Sequence, residues 1–329
     1  MSELSRRGFG AALLASATFL AHGGPAAAQN YPDKPVKVVV PFGAGGPTDV
    51  TARLVAQHLS SRLGKQFYVE NVPGAGGNTG TGQVARAAPD GYTLVVASTG
   101  FMVNPSLYAH VPYDPKKDFA PLSLLAASPN VLTVHPSVPA KTVGELVKEI
   151  KANPTKYSFA QPATGSTPHL SGELFKLHFG LTGYTMIPFT SAAQAITSTV
   201  ANHTPTAWTA LPPAVTAVKG GQLRALAVTS PQRVAALPDV PTMAEVGIQG
   251  QEAETLTSLF APAGTPKAIL DLLAKEIGVI VKLPEVAEKF TAMGFVPVGN
   301  SPEEWGKRVD EEIAKWAKVI KDANIPQIK

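Results

Sequence analysis

One stretch, VKVVVPFGAGGPTDVTAR from Val36 to Arg53, constrains this chain more than any other. Val36, Val38, Val39 and Val40 put apolar side chains on both faces of a strand, which reads as buried in a parallel sheet. Gly43, Gly45 and Gly46 let the following loop turn tightly with its N–H groups bare, and Thr48 or Asp49 is placed to cap a helix opening there. Unpaired amides and the positive end of a helix dipole form an anion site at the carboxyl end of the strand, where open α/β sheets take ligands. The same residues also suit a plain strand-to-helix turn that binds nothing.

Residues 1–28 read as a leader outside the fold. Ser5-Arg6-Arg7-Gly8-Phe9 precedes an apolar run from Ala11 to Ala21, and Ala26-Ala27-Ala28 supplies small residues for cleavage before Gln29. The run is shorter than the ~20 residues a membrane span needs. The paired arginines resemble a twin-arginine signal, although Gly10 and Ala11 depart from it, so the general secretory route stays open. Either route predicts a periplasmic product. The chain has no Cys, so its stability must come from an apolar core, which 44% hydrophobic residues can supply. The formal charge of +4 falls to +3 when Glu3, Arg6 and Arg7 leave with the leader, and the remaining Lys and Arg are scattered, which argues against nucleic acid.

Beyond Gln66, short strands, glycine loops and amphipathic helices alternate, which predicts parallel sheets. The loop PGAGGNTGTG contains Gly80-x-Gly82-x-x-Ala85. A dinucleotide site would need a carboxylate ~20 residues on, but Ser98-Thr99-Gly100-Phe101 offers none. No glycine loop ends in the Lys-Ser/Thr of a phosphate-binding loop. A second backbone-donor loop aimed at the same crevice fits better, with Asn78 at its helix.

Strands expected at Leu122–Ala127 and Val131–Val134 form a passage to a second series. There a helix buries Val143, Leu146, Val147 and Ile150, and the loop QPATGSTPH leads into a helix whose Leu170, Leu174 and Leu177 should face the core. Ser166 or Thr167 can cap that helix or grip a ligand. A nucleophilic Ser166 with His169 is conceivable, but the G-x-S-x-G elbow is missing. Thr190 to Gln194 bares another helix start. In the strand ending at Thr209, Trp208 should be core and Thr209 should face the cleft. A short connecting helix is expected from Pro238. The chain should cross back near Thr255 to Ala261 and finish as helices, with stripes at Leu270, Leu273, Ile277 and Ile280, and at Trp305, Val309, Ile313, Trp316 and Ile320. The seven His lack the i, i+4 spacing of a metal-binding helix, so no metal is expected.

The pieces Tyr31-Pro32, PFGAGGPTD to Arg53, ENVPGAGGNTG, ARAAPDGYTL, Gly165-Ser166 before His169, and LRALAVTS resemble the tripartite tricarboxylate transporter substrate-binding proteins, the Bug-type receptors, over essentially the whole mature chain. The two glycine loops in tandem are the specific part. The resemblance implies an α/β type 2 periplasmic-binding (Venus flytrap) fold with two hinge strands. Lobe 1 would comprise residues 30–128 and 252–329, and lobe 2 residues 129–251. It further implies a monomer without cofactor or catalysis that passes a carboxylate to a two-component membrane permease. A signalling role, or an exported hydrolase using Ser166 and His169, is the alternative. Ligand contacts are expected from Phe42, Gly43, Ala44, Gly46, Thr48, Asp49, Asn78, Ser98 and Thr99 on one side of the cleft. Opposite them stand Gly165, Ser166, Thr167, His169, Ser191, Ala192, Gln194 and Thr209. Where many relatives carry acidic residues, this chain has Asn202-His203-Thr204-Pro205 and Thr209. Plain di- or tricarboxylates, aliphatic or aromatic, are therefore expected rather than amino acids.

Overall fold

The computed structural model describes residues 31–162, 164–322 and 324–329, and the expected leader lies outside them. In chain order the elements are β1 (Val36–Val40), α1 (Pro47–Leu63), β2 (Phe67–Asn71), α2 (Asn78–Ala85), β3 (Thr93–Ala97), α3 (Gly100–Leu107) and β4 (Phe119–Val134). Next come α4 (Val143–Ala152), β5 (Ser158–Pro162), α5 (Thr167–Phe179), β6 (Thr185–Phe189), α6 (Ala192–Val200), β7 (Thr206–Ala210), α7 (Leu211–Lys219) and β8 (Arg224–Val228). The chain finishes with β9 (Glu254–Pro262), α8 (Lys267–Lys282), α9 (Pro284–Ala292), β10 (Val296–Pro297) and α10 (Pro302–Asp322).

Two groups of strands share one long member. β2, β1 and β3 run parallel, and β9 lies antiparallel between β3 and β4. On the other side β6, β5 and β7 run parallel, and both β7 and β8 pair antiparallel with the end of β4. The expected sheet-to-sheet passage from Leu122–Ala127 to Val131–Val134 is continuous. β4 is one strand of sixteen residues whose partner changes from β9, up to Pro129, to β7 and β8, from Asn130 or Val131 onward. Pro129, which has no N–H to donate, sits at that change of partner.

This pairing fixes where a ligand can sit. β3 ends at Ala97, opposite Ser258 at the middle of β9, and runs toward the start of β9, so the first parallel group points its carboxyl ends toward the β4–β9 crossing. β7 ends at Ala210, opposite Asn130, so the second group points its carboxyl ends toward the same crossing from the other side. The result is a mixed α/β, two-lobed architecture.

Both groups are covered on two faces, which explains why β1, β3 and β7 are buried along almost their whole length. Val36, Val38 and Val40 pack with Val55 and Leu59 of α1 and with Leu273, Ile277 and Ile280 of α8, while Val39 and Val95 face Phe101, Trp305 and Val309. In the second group Trp208 is fully buried, as expected, with Phe159, Phe175, Leu146 and Ile150 around it. On α8 the buried residue at the start is Ile269, with Leu270 half-buried beside it.

Two expectations fail. Leu177 is 54% exposed and Leu174 only half-buried, and the sheet-facing residues of α5 are Ser171 and Phe175. Leu170 shares a helix face with Leu177, but that face is covered only at its start, where Leu170 meets Val103, Leu107 and Trp316. No helix forms at Pro238–Thr242 either. Thr242 bridges to Val228, and Thr242 and Glu245 exchange capping hydrogen bonds, but Gly247 at φ 84° closes the turn at once.

Candidate functional site

The loop after β1 is held by a carboxylate. α1 starts at Pro47 with Gly46 as its cap residue, and neither Thr48 nor Asp49, both buried, caps it. Asp49 instead folds back inside the turn. Its Oδ2 accepts the Gly45 N–H at 2.9 Å and Arg53 Nε at 3.0 Å, and its Oδ1 accepts Asn71 Nδ2 at 2.9 Å and the Arg53 guanidinium at 3.0 Å. Asn71 also donates to the Phe42 carbonyl at 3.0 Å. Burial pushes the Asp49 carboxyl up, but the hydrogen bonds from Arg53, Gly45 and Asn71 outweigh it and hold the group below its ordinary value. Asp49 is thus occupied in shaping the loop, while Gly43 and Ala44 stay exposed. Arg53 and Asn71 were not foreseen as parts of this device. The Asp-x-x-x-Arg spacing was the available signal for Arg53; nothing local marks Asn71.

The loop after β2 approaches the first one closely. Gly74, Gly76 and Gly77 have φ of 141°, 64° and 97°. A Cβ on Gly77 would come within 3.1 Å of Phe42 Cζ, and one on Gly76 within 2.5 Å of the Tyr108 hydroxyl, so side chains are excluded there. Asn78 is buried, and its Oδ1 accepts Asn104 Nδ2 at 2.7 Å and the Tyr113 hydroxyl at 3.3 Å. Asn104 Nδ2 donates also to the Gly76 carbonyl at 3.1 Å. After β3, Ser98 Oγ accepts the Gly100 N–H at 3.3 Å. Thr99 is buried and tied to β9, donating to the Glu254 carbonyl at 3.1 Å and accepting the Leu256 N–H at 2.8 Å. Phe42, Gly76, Gly77, Ser98, Phe101, Asn104 and Tyr113 line a recess with no room for a water molecule.

From the second group, the loop before α5 reaches across. Gly165, at φ 87°, lies so near α3 that a Cβ would meet Leu107 Cδ2 at 2.4 Å and Asn104 Oδ1 at 3.8 Å. Ser166 is a cap residue, accepting the His169 N–H at 3.4 Å and donating to the Pro162 carbonyl at 2.9 Å. The buried His169 ring accepts the Gly165 N–H on Nδ1 at 3.2 Å, which puts its proton on Nε2, 3.9 Å from Glu173. Burial depresses the His169 pKa, with Glu173 opposing and Lys176 reinforcing the shift. Ser166 Oγ and the His169 ring are therefore bonded to backbone rather than to each other, which is not the geometry of a base-activated nucleophile.

Thr167 is buried and shares a 2.5 Å hydrogen bond with Thr255 of β9. Ser191 caps α6 by accepting the Gln194 N–H at 3.2 Å, and the Gln194 side chain accepts the Thr190 N–H at 3.3 Å. Ala192 is buried and Gln194 is exposed. These residues leave β6 at Phe189, which pairs with Pro162, so the loops into α5 and α6 emerge side by side. Thr209 is fully buried opposite Val131, and its hydroxyl has no hydrogen-bond partner among the described residues.

The structure thus gathers Phe42, Gly77, Asn78, Ser98 and Gly165 around Asn104, with Thr99 and Thr167 tied to β9 beside them. No group of residues suited to holding a metal occurs among the described residues.

The model of the tripartite tricarboxylate transporter family receptor matches residues 51–325. Among curated relatives, BugT of Bordetella pertussis is 35% identical over 300 residues, 91% of this chain and 92% of that one. An Agrobacterium vitis protein of the TAR-I ttuE-ttuC' intergenic region is 36% identical over 90% of this chain and 86% of its own. Among solved structures, the periplasmic binding protein BugD superposes with a TM-score of 0.84 at 35% identity, over 91% of this chain and all of that one. R. palustris Rpa4515 with adipate gives 0.86 at 34%, covering 91% and 100% of the two chains. MatC from Rhodopseudomonas palustris with bound malate gives 0.81 at 32%, covering 88% and 100%. With the family model spanning most of the sequence and relatives matching along nearly all of it, this chain belongs to the tripartite tricarboxylate transporter receptor family, the periplasmic solute receptors of Bug type.

Proposed function

We propose that this protein is an extracytoplasmic receptor that captures a small di- or tricarboxylate, aliphatic or aromatic, between two lobes and delivers it to a two-component membrane permease. It acts as a monomer in the periplasm, after loss of the leader, and catalyses nothing. The lobes divide as residues 30–128 with 252–329, and 129–251. The observation that carries this reading is the pair of facing carboxyl edges, each bearing a helix start free of Lys and Arg: 42–49, 76–79 and 98–100 against 165–169 and 191–194. Adipate and malate in two structural neighbours support the ligand class.

Charge at such a site is met by amides and hydroxyls. Hydrogen bonds to a charged group contribute roughly 1.5–3 kcal/mol each, so five or six yield roughly 8–18 kcal/mol before the cost of association. Micromolar binding, near −8 kcal/mol, is attainable without a salt bridge. The ligand-contacting set comprises Phe42, Gly43, Ala44, Gly46, Asn78, Ser98, Gly165, Thr167, Ser191, Ala192, Gln194 and Thr209, with Asp49, Ser166, His169 and Thr99 holding their loops. Amino acids are disfavoured because the only carboxylate in these loops, Asp49, is already engaged by Gly45, Arg53 and Asn71.

A thermal-shift screen with malate, adipate, citrate and several amino acids tests the proposal. A raised Tm with at least one of the three acids, with the acid recovered unchanged, is expected. No shift with any acid, or turnover of a bound one, overturns it.

A further inference from the structure

Where β4 and β9 cross, a chain of polar side chains ties the start of α5 to both strands. Thr167 Oγ1 lies 2.5 Å from Thr255 Oγ1, Thr255 Oγ1 lies 3.4 Å from Asn130 Oδ1, and Asn130 Nδ2 reaches Ser171 Oγ at 2.9 Å, one turn along α5. Asn130 Nδ2 also faces the Ala253 carbonyl at 3.4 Å. A carbonyl only accepts, so the amide orientation is settled and Asn130 must present its oxygen to Thr255. Asn130 is fully buried, and its backbone N–H donates to Thr229 at 2.8 Å, so it has little freedom to turn.

Proton counting then gives the chain a direction. Thr255 has one hydroxyl proton, and only that proton can serve Asn130 Oδ1. The proton between the two threonines therefore comes from Thr167. The run is Thr167 to Thr255 to Asn130 to Ser171 and Ala253.

We propose that Thr255 is a positioning residue that links the ligand loop to the strand crossing by reversing its hydrogen bond. This rests on the receptor reading above, in which Thr167 meets the ligand. If Thr167 gives its single proton to a ligand carboxylate, its oxygen can only accept from Thr255. Thr255 must then turn its proton from Asn130 to Thr167. Ligand binding thereby removes one link between β9 and β4 at the crossing, and two discrete arrangements of one hydroxyl couple site to hinge.

The test is a double-mutant cycle on the full mature chain with malate and adipate as probes, binding measured by calorimetry. Thr255→Val is isosteric and removes the relay, and Thr255→Ser restores it. Thr255→Val is expected to change the dissociation constant three- to tenfold where Thr167 is present and to have no effect in Thr167→Val, with Thr255→Ser behaving as wild type. Equal effects in both backgrounds, or none in either, overturn the proposal. If the wild type binds neither acid, citrate serves as the probe; if it binds none of the three, the receptor reading fails, and amide hydrogen exchange without ligand judges the relay. Faster exchange at residues 129–131 and 253–256 in Thr255→Val, but not in Thr255→Ser, supports it; unchanged exchange overturns it.

Discussion

The Gly45 amide donates to Oδ2 of Asp49, four residues on, at 2.9 Å, so the glycine loop is folded around a buried carboxylate of its own helix. An amide side chain at this position presents one acceptor where Asp49 presents two. Asp49→Asn should strand a donor from Gly45 or Asn71 and destabilise the fold by about 1–3 kcal/mol. Urea denaturation checks this. An unchanged midpoint would mean that water replaces the carboxylate.

His169 and Asp49 predict pH dependence in two separate windows. The His169 pKa lies below its ordinary 6.5, chiefly through burial, so the unfolded chain binds the extra proton first. Its contribution is complete above pH 6.5 and is lost as pH falls toward the depressed value. Asp49 lies below its ordinary 3.8, so its contribution persists until the medium is more acidic than that. His169→Asn keeps an acceptor for Gly165 without a titrating ring. The slope of Tm against pH just below 6.5 should flatten in this variant; a slope identical to wild type assigns it to another group.

Glu312 is buried on α10, accepting the Trp316 indole N–H at 2.8 Å and Arg308 Nε at 2.9 Å. Glu312→Ala leaves the fully buried indole without its acceptor and should cost about 1–3 kcal/mol. Glu312→Gln, which retains an acceptor, should cost less. Equal losses in the two variants, by chemical denaturation, would argue against the indole bond as the cause.

Leu177 and Phe175 of α5 should separate cleanly. Phe175 is fully buried, 5.7 Å from Trp208 between ring centres, and Phe175→Ala should cost about 3–5 kcal/mol. Leu177→Lys, at a position 54% exposed, should stay within about 0.5 kcal/mol of wild type. A large loss at Leu177 would reveal a covering partner.

Thr209 offers the sharpest division between stability and binding. Its buried hydroxyl has no partner among the described residues, so Thr209→Val should leave the unliganded Tm unchanged or raised. Malate or adipate affinity should fall at least tenfold if that hydroxyl meets the carboxylate. Unchanged affinity removes Thr209 from the site.

The local pattern of residues 36–53 determined a buried strand, a backbone-donor loop and a helix, because side-chain periodicity and glycine freedom act over a few residues. The same logic found the α4 stripe, the buried Trp208 and the cap offered at Ser166. Local pattern misled where coverage comes from afar. Leu177 carries the right spacing but has nothing above it, since α3 and α10 cover only the start of α5. Local pattern marked the sheet-to-sheet passage at 122–134, but the exchange of partners at Pro129 within one strand was decided by the tertiary structure. Roles shifted for the same reason. Asp49 and Thr99 looked like ligand contacts, but Asn71, 22 residues from Asp49, and β9, 155 residues from Thr99, supply their partners. Asn130 went unnoticed, because a lone asparagine in a strand gains meaning only when Thr255, Ser171, Thr229 and Ala253 converge on it. Hydrogen-bond partners are chosen by proximity in space, and sequence spacing governs proximity only within a helix turn or a strand pair.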